Sequence, residues 1–488
     1  MSSDSSYEDK ELAILRRAVD AAEQRTGRKV ANAPEIQEII VIVENFLRKK
    51  KLICYGGTAI NNILPSEDQF YDKSVEIPDY DFFSNDALED AKELADIYAK
   101  KGFDEVEAKS GVHKGTFKVF VNYIPVADIT QLDIELYRNI KRDAISVAGI
   151  LYTPPNYLRM SMYLELSRPD GDVSRWEKVL KRLTLLNKNY PLQGYKCNEQ
   201  NFQRSMEDLD TDVDDIYNVV KTSFMNQGVV FFGGFANTLY SKYMPRRLKK
   251  QMQDIPDFDI LSENPGTCVT IVKERLMDAG VKKIKIIKHP GLGEVIAPHY
   301  EIKVASETIA FVYEPLACHS YNIIHVKRNA IKIATIDTML SFYLAFLYSD
   351  RPYYDDDRIL CMAHFLFKVQ QKNRLQQKGL LRRFSINCYG KQETLEDNRY
   401  KKAEMYKKLK SKRGSKEYDE WFLKYSPTSQ PNVQEEKAKG EKHGEKHGKK
   451  HGKKHGKKHG KTRKRRYGKK NKKGKTRRVK FNFGSIEI

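Results

Sequence analysis

The chain has 488 residues, enough for two or three domains with cores of their own, and 40% of them are apolar, an ordinary share for a globular protein. No uncharged apolar run approaches the roughly 20 residues of a membrane span, and Met1-Ser2-Ser3-Asp4 lacks the basic and apolar regions of a signal peptide, so a soluble, non-exported protein without membrane contact is expected. The net charge of +22 is lopsided: Glu435 to Ile488 carries 23 Lys/Arg against 5 Asp/Glu, a balance of +18 that leaves only +4 for residues 1–434.

In chain order, the run Ile39–Leu47 ends a helix, Leu52–Tyr55 reads as a buried strand, and Gly56-Gly57-Thr58 opens the next turn. A Gly-Gly-Thr where a strand hands over to a helix leaves backbone N–H groups and a hydroxyl free to hold a triphosphate. Ile77-Pro78-Asp79-Tyr80-Asp81-Phe82 follows. In a strand, Asp-x-Asp puts both carboxylates on one face, close enough to share divalent cations. Ser84 or Asn85 can cap a helix that stops at Gly102, and His113-Lys114-Gly115, before the strand Phe117–Val121, reads equally as a hairpin turn or as a contact for nucleotide or RNA. Following that strand onward reaches a third carboxylate, Asp128, and the apolar helix Tyr157–Ser167 closes the unit. Three converging carboxylates beside a phosphate cradle describe a nucleotidyl-transfer site.

The same order of features recurs. Val229–Phe232 precedes Gly233-Gly234, 177 residues after Gly56-Gly57, and Ile255-Pro256-Asp257-Phe258-Asp259 lies 178 residues after its counterpart. Ser262 or Asn264 can cap a helix ending at Gly280, Ile302–Val304 matches Phe117–Val119, and Thr338–Ser349 matches the closing helix. Counting onward from Ile302–Val304 reaches Tyr313, with Glu314 on the opposite face, so the second copy lacks the third carboxylate in register. Catalysis is therefore assigned to the first copy, and a structural or RNA-supporting role to the second.

Six cysteines without C-x-x-C spacing argue against a zinc site or a disulfide framework and favour a reducing compartment. From Lys439 the motif Lys-His-Gly recurs every four residues (His443 to His459) before Arg463-Lys464-Arg465-Arg466. Glycine at that period and dense charge predict a disordered basic arm suited to phosphate contact or nuclear targeting rather than to metal.

With Gly-Gly-Thr, Asp-x-Asp and Asp128 in place, the first copy resembles the nucleotidyltransferase superfamily that includes DNA polymerase β. The strings Tyr55–Asn61, Val126–Thr130 and Leu158–Pro169, with Gly171–Lys178, are closer still to the poly(A) polymerase catalytic subunits of large nucleocytoplasmic DNA viruses. That resemblance, over roughly residues 30–425, implies an α+β chain of two tandem DNA polymerase β-like domains, the first active and the second degenerate. The expected boundaries are 1–190, 191–355, a helical extension over 356–428 and a basic tail over 429–488.

By position, the resemblance has Gly56, Gly57 and Thr58 holding the triphosphate of ATP. Asp79, Asp81 and Asp128 are the expected ligands of two Mg²⁺ (or Mn²⁺) ions about 3.5–4 Å apart. Arg159 and Lys178, the latter on a helix with Arg175 and Lys181, are further candidates for phosphate contact; a solvated helix face is the competing reading for each. The gap from Gly57 to Asp79 is long, so Pro65–Lys73 is expected to loop out. The implied reaction adds poly(A) to the 3′ end of viral mRNA, in the host cytoplasm (the viral factory) and in the virion. The partner is a second copy or a cap-methyltransferase-like subunit. A uridylyl- or mixed-specificity transferase and a non-catalytic RNA-binding subunit are the alternatives.

Overall fold

The computed structural model describes residues 7–197, 202, 212–244, 256–326 and 329–427; the basic tail expected over 429–488 lies outside them. Residues 1–430 form one compact unit built on two mixed sheets. The first contains β1 (Ile53–Cys54), β2 (Tyr80–Ser84), β3 (Val106–Ser110), β4 (Thr116–Val121), β5 (Ile124–Gln131), β6 (Ile145–Val147) and β7 (Ile150–Tyr152). The second contains β8 (Val230–Phe232), β9 (Phe258–Leu261), β10 (Ile284–His289), β11 (His299–Val304), β12 (Glu307–Tyr313), β13 (His319–Val326) and β14 (Asn329–Ala334). Two short strands from the extension, β15 (Cys388–Tyr389) and β16 (Lys424–Tyr425), complete them. The strand orders are β16-β3-β4-β5-β2-β1-β7-β6 and β10-β11-β12-β9-β8-β14-β13-β15. Apart from the added edge strands, the second order is the first read through the duplication.

Local sequence accounts for the elements around the first sheet. The helix Pro34–Lys50 starts on a proline, keeps Ile36, Ile39, Val43, Phe46 and Leu47 on its buried face, and stops at Lys51 in the left-handed region (φ 55°). Ser84 sits at the end of β2 rather than at the cap of the helix Ala87–Lys100. Its hydroxyl accepts from the Asp86 N–H and donates to Asp90, so it still braces that helix start. The segment from Phe117 to Asp128 is two strands, not one: β4 and β5 form a hairpin through Asn122 and Tyr123, both at positive φ (49° and 65°), as a two-residue primed turn demands.

The two sheets are knit together by their closing helices, Pro155–Leu166 and Ile336–Phe346, which pack on each other. Tyr157 meets Tyr348 edge to face at 5.2 Å, the Ser320 N–H donates to Ser167 O at 2.8 Å, and Arg351 pairs with Glu135 at 3.0 Å. Every residue of Ile336–Phe346 is buried, Asp337 included.

The expectation of no disulfide framework is not met. Cys197 is joined to Cys361 and Cys318 to Cys388, across 164 and 70 residues of chain and with Cα atoms 5.3 Å apart in each pair. Short-range spacing could not reveal pairs made by the tertiary fold. Cys54 and Cys268 are free and buried. No helix among the described residues is long and apolar enough to cross a membrane.

Candidate active site

β2 lies between β1 and β5, antiparallel to the first and parallel to the second, and in that register Asp81 stands beside Asp128 while Lys118 of β4 stands beside Asp128 on its other side. The chain leaves β1 at Tyr55, whose N–H donates to Asp81 O at 2.9 Å, and turns at once into the helix Gly56–Ile63. Gly56 adopts φ 72°, and a Cβ there would come within 2.6 Å of Asp81 Oδ2; a Cβ on Gly57 would come within 2.6 Å of Tyr71 Oη and 2.9 Å of Arg182. Gly56 is required by its backbone, whereas at Gly57 the near atoms are the ends of two flexible side chains. Thr58 differs from expectation. It is buried, and its hydroxyl donates to Asp79 O at 2.6 Å, so it clamps the Asp-x-Asp strand onto the turn rather than offering itself to a phosphate.

Asp79, Asp81 and Asp128 open with Gly56 and Gly57 into a cavity of about 810 Å³, a size that suits a nucleotide. Lys178, Arg175, Ser161 and His113 also line it. Burial, and then the charges of Asp79 and Asp128, push the Asp81 carboxyl up to about 7; burial and Asp128 raise Asp79 as well, with Lys118 opposing both. Lys118 is ion-paired with Asp128 Oδ2, while Asp128 Oδ1 is buried without a hydrogen-bond partner. Among the described residues, the one group of His, Cys, Asp or Glu ligand atoms within 4.8 Å of one another is Asp170 with Cys318 and Cys388, whose sulfurs are tied in a disulfide. The three aspartates are splayed wider. Their donor set is nonetheless all oxygen, crowded with negative charge and holding one orphaned acceptor, which fits a hard divalent cation.

Raised carboxylates carry a stability signature. Asp81 titrates at 3.8 when unfolded and near 7 when folded, so the native state holds the extra proton between those values. Stability therefore falls as pH rises from about 4 through 7, and the loss is complete above that. Asp81→Asn is expected to melt several degrees above the parent at pH 8 in EDTA and level with it near pH 4. Thermal unfolding at the two pH values checks this.

Arg159 does not reach the cavity. It is 1% exposed, and its guanidinium is spent on Asn187 Oδ1 (2.7 Å), Asn156 Oδ1 and Tyr190 O, with burial lowering it to about 10. It is a strut between the helices Pro155–Leu166 and Trp176–Asn189, not a nucleotide ligand. Lys181 also points elsewhere, pairing with Glu177 at the surface.

The cation overlooked by sequence reasoning is Arg182, which lines the cavity, bonds Tyr71 Oη and packs 5.0 Å from the Phe70 ring. Its spacing from Lys178 and Arg175, four and seven residues, was the signal available: all three share a helical face. Nor does Pro65–Lys73 loop out. Asn61 Oδ1 accepts the N–H groups of both Phe70 and Tyr71 at 2.8 Å, and Lys188 and Asn189 grip Asp68, which folds the insertion over the glycine turn as a wall of the cavity.

The second cradle keeps the glycine turn and the Asp-x-Asp strand but buries both aspartates. Gly233 and Gly234 press directly on Asp259 and Asp257, which are only 6% and 1% exposed. Beside Asp259, the place of Asp128 is taken by Phe311, not by Tyr313 as counting along the chain had suggested; the place of Lys118 is taken by Glu301, bonded to His289. Tyr343 is buried alongside, its hydroxyl raised by burial and by both aspartates.

Paired sheets of this order, each with a Gly-Gly turn against an Asp-x-Asp strand, define a duplicated α+β architecture. Residues 41–172 match the family model described as poly(A) polymerase catalytic subunit. The chain is 34% identical over 171 residues to a putative poly(A) polymerase catalytic subunit of African swine fever virus, covering 34% of this chain and 36% of that protein. It is 30% identical over 165 residues to the one of Acanthamoeba polyphaga mimivirus, covering 33% and 28%. These matches thus span about a third of the relatives' length. The fold is that of the Megavirus polyadenylate synthase, with a TM-score of 0.71 over 90% of both chains at 22% identity.

Proposed function

We propose that this chain is a template-independent polynucleotide adenylyltransferase, transferring AMP from ATP to the 3′-hydroxyl of viral mRNA with release of pyrophosphate. The observation that carries the proposal is the register of the first sheet: three aspartates and a glycine turn meet at one open cavity, whereas the duplicate closes the same place with Phe311. Similarity of residues 41–172 to poly(A) polymerase catalytic subunits supports adenine over other bases.

In this reading Asp79, Asp81 and Asp128 would hold divalent cations, Mg²⁺ or Mn²⁺. Bound there, such ions supply charge neutralisation at the α-phosphate and lower the pKa of the attacking hydroxyl. The backbone at Gly57 and the side chains of Arg182 and Lys178 receive the β- and γ-phosphates. Asp128 takes the proton from the 3′-oxygen as the bond to phosphorus forms and the bond to the pyrophosphate oxygen breaks. Lys118 neutralises Asp128 until substrate arrives. A body near electrical neutrality holds RNA weakly, which supports a second copy, or a cap-methyltransferase-like subunit, as a partner that enlarges the channel.

Purified protein given a short RNA, Mg²⁺ or Mn²⁺ and each NTP separately tests the proposal. Extension with ATP alone is the expected result. Extension with UTP would overturn the base, and no extension with any NTP would overturn the transferase reading in favour of an RNA-binding subunit.

A further inference from the structure

A region that the proposed chemistry does not use is the helix Leu395–Leu409 and the turn that follows it. Residues 395–416 hold nine Lys/Arg and three Asp/Glu, a balance of +6, which exceeds the +4 of the whole stretch 1–434. This is one of the strongly basic stretches of the body, beside 368–383, which also carries +6. Arg399, Lys401, Lys407, Lys408 and Lys410 are all exposed, and so are two aromatic rings, Tyr400 (68%) and Tyr406 (39%). The pairs that Lys401 and Lys407 make with Glu393 and Glu404 are solvent-exposed, and such pairs hold a cation only weakly.

The placement of this helix is fixed. Thr394 and Asp397 close a capping box at its start, and Leu409 is buried at its end. Lys402 Nζ donates to Gly111 O at 2.6 Å, in the same 111–115 turn whose Val112 and His113 line the cavity. Lys114 of that turn lies 5.5 Å over Trp421, and Leu395 itself lines the cavity. The helix thus begins at the mouth of the site and is about 20 Å long, the length of roughly six stacked nucleotides of a single strand.

We propose that the helix Leu395–Leu409 is the wall along which single-stranded RNA is held upstream of its reactive 3′ end, with Lys401, Lys407 and Lys408 on phosphates and Tyr400 stacked on a base. RNA as the occupant rests on the transferase reading above. The choice of a single strand rests on the exposed tyrosines, since base stacking needs unpaired faces.

The test uses the full chain in EDTA without NTP, so that binding is read apart from catalysis. Fluorescence anisotropy is followed with a labelled 12-nucleotide single-stranded RNA across a salt series. The variant Lys401→Gln/Lys407→Gln/Lys408→Gln is expected to raise Kd about ten-fold or more and to flatten the salt slope by about 2, the value for three lost single-strand phosphate contacts. Tyr400→Ala is expected to weaken binding about five-fold or more. All four side chains are exposed, so an unchanged melting temperature certifies the fold.

A Kd within two-fold of the parent for the triple variant overturns the proposal. Tyr400→Ala without effect, or equal binding of a 12-base-pair duplex, overturns the single-strand assignment. If the parent binds as expected yet extends RNA with no NTP, the transferase reading falls while the wall stands.

Discussion

Asp79→Ala combined with Asp81→Ala is expected to lower the rate of NTP incorporation by roughly 10³-fold or more, while leaving RNA affinity in EDTA within two-fold of the parent. The two carboxylates are not structural. They face an open cavity, and burial and the charge of Asp128 raise both, so the fold is strained rather than supported by them. The double variant should therefore be well folded, with a melting temperature at pH 8 at or above that of the parent. Asp257→Ala with Asp259→Ala is the internal control: the same motif, buried under Gly234 and Gly233, is expected to lower stability and to leave the rate per folded molecule unchanged. Primer extension and thermal unfolding, run on all three proteins, read both halves of the contrast. Loss of rate in the second pair, without loss of stability, would place chemistry in the second copy.

The largest stability effect is expected at Arg383→Met. Asp337 has no solvent exposure, and Arg383 Nε sits 2.9 and 2.8 Å from its two oxygens, with Gln370 adding a second donor at 3.3 Å. Burial pushes Asp337 up, and the guanidinium is the main force pulling it back. Removing the cation leaves a buried carboxylate uncompensated, a loss of about 3–5 kcal/mol. For a unit of this size, with an unfolding entropy of about 0.9 kcal/mol/K, that corresponds to roughly 3–6 °C in Tm. Replacing both partners, Arg383→Met with Asp337→Leu, is expected to recover most of the loss, because the cost lies in the stranded charge rather than in the missing attraction. A double variant no more stable than Arg383→Met alone would contradict that reasoning.

Much of this architecture was legible in the residues. The repeated Gly-Gly and Asp-x-Asp, offset by nearly constant spacing, imply two like α/β domains with Asp128 as the third carboxylate, and the sheets share one strand order that sets Asp128 beside Asp81. The error over Tyr313 is instructive. The letters Lys-Val in both copies tempt an alignment of Lys118 with Lys303, but sheet register equates Lys118 with Glu301, two residues earlier. Because strand side chains repeat every two residues, the slip kept the correct face and named the wrong residue, Tyr313 for Phe311.

Other features could not be read from the chain alone. Whether Arg159 faces water or protein depends on Asn187 and Tyr190, almost thirty residues away in sequence. The insertion over the glycine turn depends on one carboxamide oxygen of Asn61 accepting two N–H groups. Thr58 carries the same hydroxyl whether it faces a phosphate or the Asp79 carbonyl, and only the packed turn decides.

Strand β16 has a consequence for how the molecule is made. It seals the outer edge of the first sheet by pairing Lys424 with Lys109, a partner synthesised 315 residues earlier. At translation speeds of about 5–20 residues per second, roughly 15–60 s separate the two on the ribosome. Throughout that interval β3 emerges with a row of unanswered N–H and C=O groups, an invitation to neighbouring nascent chains. Lys109, which lies on that strand with its ammonium 4.0 Å from the Phe120 ring, keeps a charge on the edge while it waits. The strand Lys424–Tyr425 thus acts as a late-arriving clasp, and the sheet that carries Asp79, Asp81 and Asp128 reaches its finished form only after the second sheet has been translated.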